Sequence, residues 1–200
     1  MIYLYSGTPG SGKSLHMAQD IYWWVKNGHT CIANFDINVE LIRKAKGSFY
    51  YLDNIHLSPD LLIKFSKVYF SDHKFKEGSI RLYIDEAQLL FNAREWNQKG
   101  RKDWLSFFTQ HRKYGYDVYL VAQFDKMIDK QIRSLIEYEY IHRKLKNYGA
   151  LGQIMNAVAG GGLILAVKRW YPIGEKIGTE TVRINKKYYS LYDTLNTFKD

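Results

Sequence analysis

A glycine-rich segment near the start of the chain constrains the fold more than any other feature of the sequence. Residues 7–14 read GTPGSGKS and match the phosphate-binding loop (P-loop) pattern G-x-x-x-x-G-K-[ST] without a gap. Residues 2–5 are typical of a short buried strand, and residues 14–27 carry apolar side chains at helical spacing. A glycine loop between a strand and a helix turns backbone N–H groups onto phosphate oxygens. The sequence therefore predicts a nucleoside triphosphate site.

The loop also predicts which residues hold the nucleotide and its metal. Lys13 is expected to reach the β- and γ-phosphates, and the Ser14 hydroxyl is expected to bind Mg²⁺. The absence of a base-reading motif of the GTPase type weakly favours ATP over GTP. The expected nucleotide-binding residues are Gly7, Thr8, Gly10, Ser11, Gly12, Lys13, Ser14 and Leu15.

The composition is that of an ordinary globular protein. The 200 residues are 46% hydrophobic and 24% charged, which is enough for one α/β domain with its own core. The single cysteine, Cys31, lies in an apolar run; this excludes a disulfide framework within the chain and favours a reducing cytoplasm. The net charge of +9 suits a DNA or anionic membrane partner and, equally well, a basic surface without one.

Short apolar runs alternate with helical patterns over the first two-thirds of the chain. This alternation predicts an α/β fold, a P-loop NTPase with a mainly parallel central sheet flanked by helices. The further strands are expected at residues 31–35, 80–84 and 118–122, and the further helices after Ser58 and at residues 104–114 and 126–135. A C-terminal β-hairpin is expected from residues 163–171 and 181–184. We thus predict an ATPase core (1–148) and an appendage of glycine-rich loop and hairpin (149–200) packed on it.

One uncharged stretch requires comparison with a membrane span. Residues 149–167 are followed by Lys168, Arg169 and two aromatic residues, as at a membrane interface. The stretch nevertheless contains five glycines together with Gln153 and Asn156, which makes it a poor apolar span. A glycine-rich loop that leads into a strand is the favoured interpretation.

Polar residues end two of the predicted strands. Asp85 and Glu86 follow residues 80–84; Asp85 is expected to hold Mg²⁺ through its water shell, and Glu86 to polarise the water that attacks the γ-phosphate. Gln123 follows residues 118–122 and is expected to sense the γ-phosphate, because such strand tips face the ligand crevice. The alternative interpretations are that Asp85 and Glu86 cap the next helix and that Gln123 is an ordinary surface residue at the end of a strand.

Two arginines are candidates for the remaining charge stabilisation, which often comes from a neighbouring subunit. Arg112 lies near the end of the helix before the Gln123 strand, and Arg133 lies on the helix after it. Each also fits an ordinary solvated helix arginine, and periodicity does not choose between them. The expected catalytic residues are Lys13, Glu86 and Gln123, together with either Arg112 or Arg133, and Ser14 and Asp85 are expected at the metal.

Four segments together resemble one family. MIYLYSGTPGSGKS, YIDEAQ, QHRKYGYDVYLVAQ and IDKQIR occur in this order over residues 1–145. They are similar to segments of the zonular occludens toxin family, whose members include the assembly ATPase of filamentous bacteriophages and which is similar to the FtsK/HerA group of DNA-pumping ATPases. By position, the resemblance assigns the same roles to Lys13, Ser14, Asp85, Glu86 and Gln123. It also favours Arg112 over Arg133 as an arginine that acts across a subunit interface.

The resemblance also implies partners and a location. It implies a homo-oligomeric ring, with a hexamer as one option, at the cytoplasmic face of the bacterial inner membrane. Phage coat or envelope-export proteins are the implied partners, and single-stranded DNA is a further candidate. The implied membrane segment is expected to lie outside this chain, which is itself expected to be soluble.

Three functional classes remain open at this point. The favoured class is an ATP-hydrolysing motor. A small-molecule or nucleotide kinase shares the loop, but it does not need the water-activating Glu86 and usually carries an arginine-rich lid, which is not obvious here. A non-catalytic nucleotide switch is disfavoured by the intact set of Lys13, Ser14, Asp85 and Glu86.

Overall fold

Strands and helices alternate along the chain in the computed structural model, which describes residues 1–94, 100–145, 149–158 and 162–192. The strands are β1 (Ile2–Ser6), β2 (Thr30–Ala33), β3 (Phe49–Tyr51), β4 (Ile80–Ile84), β5 (Tyr116–Val121), β6 (Tyr138–Lys144), β7 (Leu163–Trp170) and β8 (Glu175–Arg183). The helices are α1 (Lys13–Lys26), α2 (Pro59–Asp72), α3 (Arg101–Gln110), α4 (Lys130–Arg133), α5 (Gly149–Val158) and α6 (Lys186–Leu191).

These strands form one sheet in the order β3-β2-β4-β5-β1-β6-β7-β8. The pairings from β3 through to β6 are parallel, and β7 and β8 continue the sheet in antiparallel fashion. β1 lies between β5 and β6, with Leu4 opposite Leu120 on one side and Glu139 on the other. Because the carboxyl ends of parallel strands meet at one edge, the segments that follow β1, β4 and β5 come together there.

The side chains of β1 alternate between two layers of core. Tyr5 packs with the buried face of α1 on one side of the sheet. Ile2 and Leu4 pack on the other side with Leu62 of α2 and Phe107 of α3. Burial on both faces explains why β1 appears in the sequence as an apolar run.

A polar cluster attaches α1 to the sheet. Asp20 of α1 accepts hydrogen bonds from Arg81 Nη1 at 2.7 Å and from the hydroxyl of Tyr83 at 2.6 Å. The Arg81 guanidinium lies 3.6 Å from the centre of the Trp24 ring, a cation–π contact. Tyr83 is fully buried, so its hydroxyl depends on Asp20 for an acceptor.

The predicted fold class is confirmed as a mainly parallel sheet with helices on both faces and a C-terminal hairpin. The strand predicted at residues 80–84 is β4, and the hairpin is formed by β7 and β8. Ser58 caps α2 by accepting from the Leu61 N–H, with Pro59 at the first helical position. Cys31 is buried as expected, and burial raises the pKa of its thiol.

Some local predictions are wrong. Residues 149–158, expected as part of a glycine-rich loop, form α5. The helix expected at residues 126–135 is reduced to a 3₁₀ turn and the short α4. β3 and β6 were not predicted at all, although β6 is the direct neighbour of β1. The predicted domain boundary at residue 148 and the end of the appendage, residues 193–200, lie outside the described residues.

Among the helices of the described residues, none combines the length and the apolar character needed to cross a bilayer.

Replacement of Asp20 by alanine is expected to lower the free energy of unfolding by about 3 kcal/mol, because it leaves a buried hydroxyl and a half-buried guanidinium without their acceptor. Urea denaturation followed by circular dichroism measures the change. Asp72→Ala, at an exposed acid near the end of α2, is the control and should change stability by less than about 0.5 kcal/mol. Equal effects of the two substitutions would contradict the role assigned to Asp20.

Candidate functional site

The segment between β1 and α1 is a tight loop that requires glycine at three of its positions. Gly7, Gly10 and Gly12 have positive φ angles of 139°, 68° and 102°. A Cβ atom on Gly7 would lie 2.6 Å from the carbonyl oxygen of His142, and one on Gly12 would lie 2.1 Å from Ile164 Cδ1. The loop is thus fixed both by its conformation and by close packing against β6 and β7.

Two backbone hydrogen bonds hold the loop in place. The Gly7 N–H donates to the carbonyl of Gln123 at 3.1 Å, and the Ser11 N–H donates to the carbonyl of Thr8 at 3.0 Å. The first bond ties the loop to the segment after β5. Gln123, predicted as a sensor, therefore lies beside the loop, and its main chain anchors the loop.

Lys13 begins α1 and its side chain folds over the loop. Its ammonium group donates to the carbonyl oxygens of Gly7 at 2.7 Å and Thr8 at 3.3 Å. Burial lowers the pKa of Lys13, and the carboxylates of Asp85 and Glu86 act in the opposite direction. The ammonium group thus lies within the field of the two predicted acidic residues.

Asp85 follows β4 and is held by two residues distant in sequence, Asn34 and Tyr192, and by its neighbour Glu86. Its N–H donates to Asn34 Oδ1 at 2.7 Å, and Asn34 Nδ2 donates to its carbonyl at 2.9 Å. The Tyr192 hydroxyl donates to Asp85 Oδ2 at 2.6 Å, and the Glu86 N–H donates to Oδ1 at 2.9 Å. Burial raises the pKa of the Asp85 carboxyl, and the bonds from Tyr192 and Glu86 partly offset this effect.

Sequence reasoning missed Asn34 and Tyr192. Tyr192 follows α6, which packs on α1, and its ring meets that of Phe35 edge-on with centroids 4.8 Å apart. Its contact with Asp85 spans 107 residues, so no local pattern could reveal it. Asn34 directly follows β2, but the strand predicted at residues 31–35 extends past it, so the strand-tip rule that selected Gln123 did not select Asn34.

Glu86 adopts a left-handed backbone conformation, with φ of 46° and ψ of 47°. This region costs energy for a residue with a side chain and is often found at functional sites. The side chain is exposed, and Gln88 Nε2 donates a hydrogen bond to it. Glu86 is therefore beside Asp85 but open to solvent, where a water molecule can reach it.

Of the two candidate arginines, Arg112 lies at the end of the sheet away from the loop of its own chain. Arg112 pairs with Glu137 at 2.5 Å near the start of β6, and this hydrogen bond raises the pKa of Arg112. The length of β1, five residues at a rise of roughly 3.3 Å each, separates that edge of the sheet from the loop. Arg112 therefore lies near the amino ends of the strands, opposite the edge that carries the loop. Arg133 ends α4 and is half-buried.

The residues of the loop fit a triphosphate and a magnesium ion. The hydroxyl of Ser11 is buried without a hydrogen-bond partner among the described residues, and Lys13 supplies a cation that presently binds only carbonyl oxygens. Ser14 and Asp85 offer the oxygen ligands that Mg²⁺ prefers. In the described part of the chain, no group of three or more His, Cys, Asp or Glu side chains could hold a metal. A bound Mg²⁺ would therefore take its other ligands from phosphate and water.

A parallel sheet with β1 at its centre, a glycine loop that leads into α1 and acidic residues after β4 define the class of P-loop NTPase folds. Within that class the chain belongs to the zonular occludens toxin family, whose model matches residues 1–199.

Individual relatives agree with this assignment. The chain is 26% identical to the gene 1 protein of Enterobacteria phage fd over 98% of its own length, and 25% identical to that of Escherichia phage If1 over all of it. It spans 60% of the length of each of these relatives. The N-terminal domain of zonular occludens toxin from Neisseria meningitidis matches 96% of this chain and 98% of its own, with a TM-score of 0.57 and 20% identity.

A viral enzyme shares the fold as well. The genome packaging NTPase of Sulfolobus turreted icosahedral virus 2, solved in complex with AMPPCP, covers 92% of this chain. The match spans 98% of that NTPase, with a TM-score of 0.56 and 14% identity.

Replacement of Gly12 by alanine is expected to weaken ATP binding about 100-fold, because the added methyl group collides with Ile164 at an unfavourable φ. Isothermal titration calorimetry with Mg²⁺ and ATP measures the loss. Gly28→Ala, at the other end of α1, is the control: its φ of 94° is similar, but the nearest atom, Lys46 Cβ, is 3.6 Å away. Unchanged affinity in Gly12→Ala would contradict the role of the loop.

Proposed function

We propose that this chain is the Mg²⁺-dependent ATPase domain of a motor that drives filamentous-phage assembly and extrusion. The observation that carries the proposal is the meeting of Lys13, Asp85 and Glu86 at one edge of the sheet, beside a loop that fits phosphate. Family membership and the phage gene 1 proteins support the biological setting.

The roles of the residues follow from their chemistry. Backbone N–H groups of the loop and the N-terminus of α1 bind the phosphates, while Lys13 exchanges its carbonyl partners for phosphate oxygens. Ser14 and Asp85 hold Mg²⁺, which when bound neutralises charge on the β- and γ-phosphates. Glu86 orients a water molecule and takes its proton as the water attacks phosphorus. Gln123, anchored beside Gly7, detects the γ-phosphate.

Two observations favour ATP as the nucleotide. The sequence lacks a GTPase-type base-reading motif, and the packaging NTPase with the same fold was solved with an ATP analogue.

The assembly and location are also part of the proposal. The chain acts as a homo-oligomeric ring at the cytoplasmic face of the bacterial inner membrane, attached through a segment outside residues 1–200. Its partners are phage coat or envelope-export proteins, and single-stranded DNA is a further candidate. The remote position of Arg112 supports an oligomer, because this residue needs a neighbouring subunit to reach a nucleotide.

Replacement of Glu86 by glutamine should leave ATP binding within about twofold and lower turnover by about 100-fold or more, because it removes the base and little else. Phosphate release and calorimetric binding are measured in parallel. Lys13→Ala should lose binding itself, and Glu40→Gln, at an exposed acid, is the matched control and should retain both. Normal turnover in Glu86→Gln would contradict its role as base, and turnover only with a small-molecule acceptor would favour a kinase.

Mixing experiments test Arg112 as an arginine that acts across a subunit interface. Arg112→Ala and Glu86→Gln should each be inactive alone, yet regain activity when mixed, because one interface then combines an intact base with an intact arginine. A mixture of Arg133→Ala with Glu86→Gln is the comparison, and its activity should not exceed the activity of Arg133→Ala alone. Recovery with Arg133→Ala instead, or with neither, would remove Arg112 from the mechanism.

A further inference from the structure

We propose that the cavity between the phosphate loop and the carboxyl end of β6 receives the nucleoside of the bound nucleotide, with Phe124 against the base and Lys144 beside the phosphates. This inference rests on the proposed nucleotide site and adds to it two residues that the loop motif does not include. The cavity has a volume of about 580 Å³, which falls within the range of small-molecule sites.

The direction of the phosphate chain favours this side of the loop. Asp85 and Glu86 follow β4, so the γ-phosphate and its metal belong on the β4 side of β1. A triphosphate that runs through the loop from that end leaves it on the opposite side, next to β6. The cavity is on that side, where residues 7–11 of the loop form one wall and residues 141–144 form another.

Lys144 brings a positive charge to the mouth of the loop. Its ammonium nitrogen lies 3.6 Å from the position that a Cβ atom on Gly10 would occupy. The side chain is half-buried and has no acidic partner within the described residues. An unpaired cation in contact with a phosphate-binding loop is suited to a phosphate oxygen near the nucleoside.

The buried carboxylate at the floor of the cavity does not neutralise the positive charge of Lys144. Glu139 lies there, but its carboxylate is buried and already accepts hydrogen bonds from Ser6 Oγ and from Arg169. The pairing with Arg169 neutralises Glu139. The other carboxylate in the lining, Asp125, accepts hydrogen bonds from the Tyr171 hydroxyl and the Lys126 N–H, and Arg143 adds a second positive charge beside Lys144.

Phe124 offers an aromatic face at the rim. Its side chain is 55% exposed, although the residues on both sides of it are fixed. The carbonyl of Gln123 accepts a hydrogen bond from the Gly7 N–H, and Asp125 accepts one from the Tyr171 hydroxyl at 2.8 Å. A positioned and exposed ring beside a phosphate site is suited to stacking on a base, because every base presents a π-face.

Calorimetry with two ligands tests the assignment, using Mg²⁺ with ATP and Mg²⁺ with inorganic tripolyphosphate, which lacks the nucleoside. The wild-type chain should bind ATP at least tenfold more tightly than tripolyphosphate. Phe124→Ala should weaken ATP about tenfold and leave tripolyphosphate within about twofold. Phe124→Tyr should keep the wild-type preference, whereas Lys144→Gln should weaken both ligands severalfold.

Two substitutions far from the cavity serve as matched controls. Phe75→Ala and Lys113→Gln, at an exposed phenylalanine and an exposed lysine near the opposite edge of the sheet, should change neither affinity. Equal binding of ATP and tripolyphosphate by the wild type, binding of neither, or an unchanged preference in Phe124→Ala would overturn the inference. A chain that shows the Phe124-dependent preference but no hydrolysis would refute the ATPase proposal alone, and normal hydrolysis with an unchanged preference would refute only the nucleoside site.

Discussion

The parallel pairing of β1 with β5 on one side and with β6 on the other is the constraint on which the site depends. It brings the carbonyl of Gln123 within reach of the Gly7 N–H and places His142 against the loop. The loop is therefore held between two strands that lie more than a hundred residues later in the chain. A triphosphate site formed in this way is a product of the whole sheet rather than of the eight-residue motif.

Buried polar groups beneath the loop reinforce this arrangement. The carbonyl of Ser6 can only accept, so His142 Nδ1 carries a proton, and His142 Nε2 accepts from His16 Nδ1 at 2.8 Å. Burial lowers the pKa of His16 to about 4 and that of His142 to about 3, so both rings are neutral at pH 7. The pair thus connects α1, β1 and β6 without placing further positive charge under Lys13.

The sequence was sufficient for the β1–loop–α1 unit, for β4 with its acidic pair and for the strand before Gln123, because each has a local pattern. It did not reveal β6, because Glu139 and His142 are polar residues in a central strand and their partners Ser6, Arg169 and His16 are distant in sequence. Gly149 and Gly152 concealed α5, since glycine disfavours a helix by about 1 kcal/mol. Tyr192 and Lys144 reach the site only through tertiary packing, which spacing along the chain cannot express.

A crystal structure with Mg²⁺ and a non-hydrolysable ATP analogue tests the central claim most directly. We expect phosphates within the loop, with the Lys13 ammonium moved from the carbonyls of Gly7 and Thr8 onto the β- and γ-phosphates. We also expect Mg²⁺ between the Ser14 hydroxyl and Asp85. An analogue bound elsewhere, with Lys13 still on the loop carbonyls, would contradict the claim that this loop is the nucleotide site.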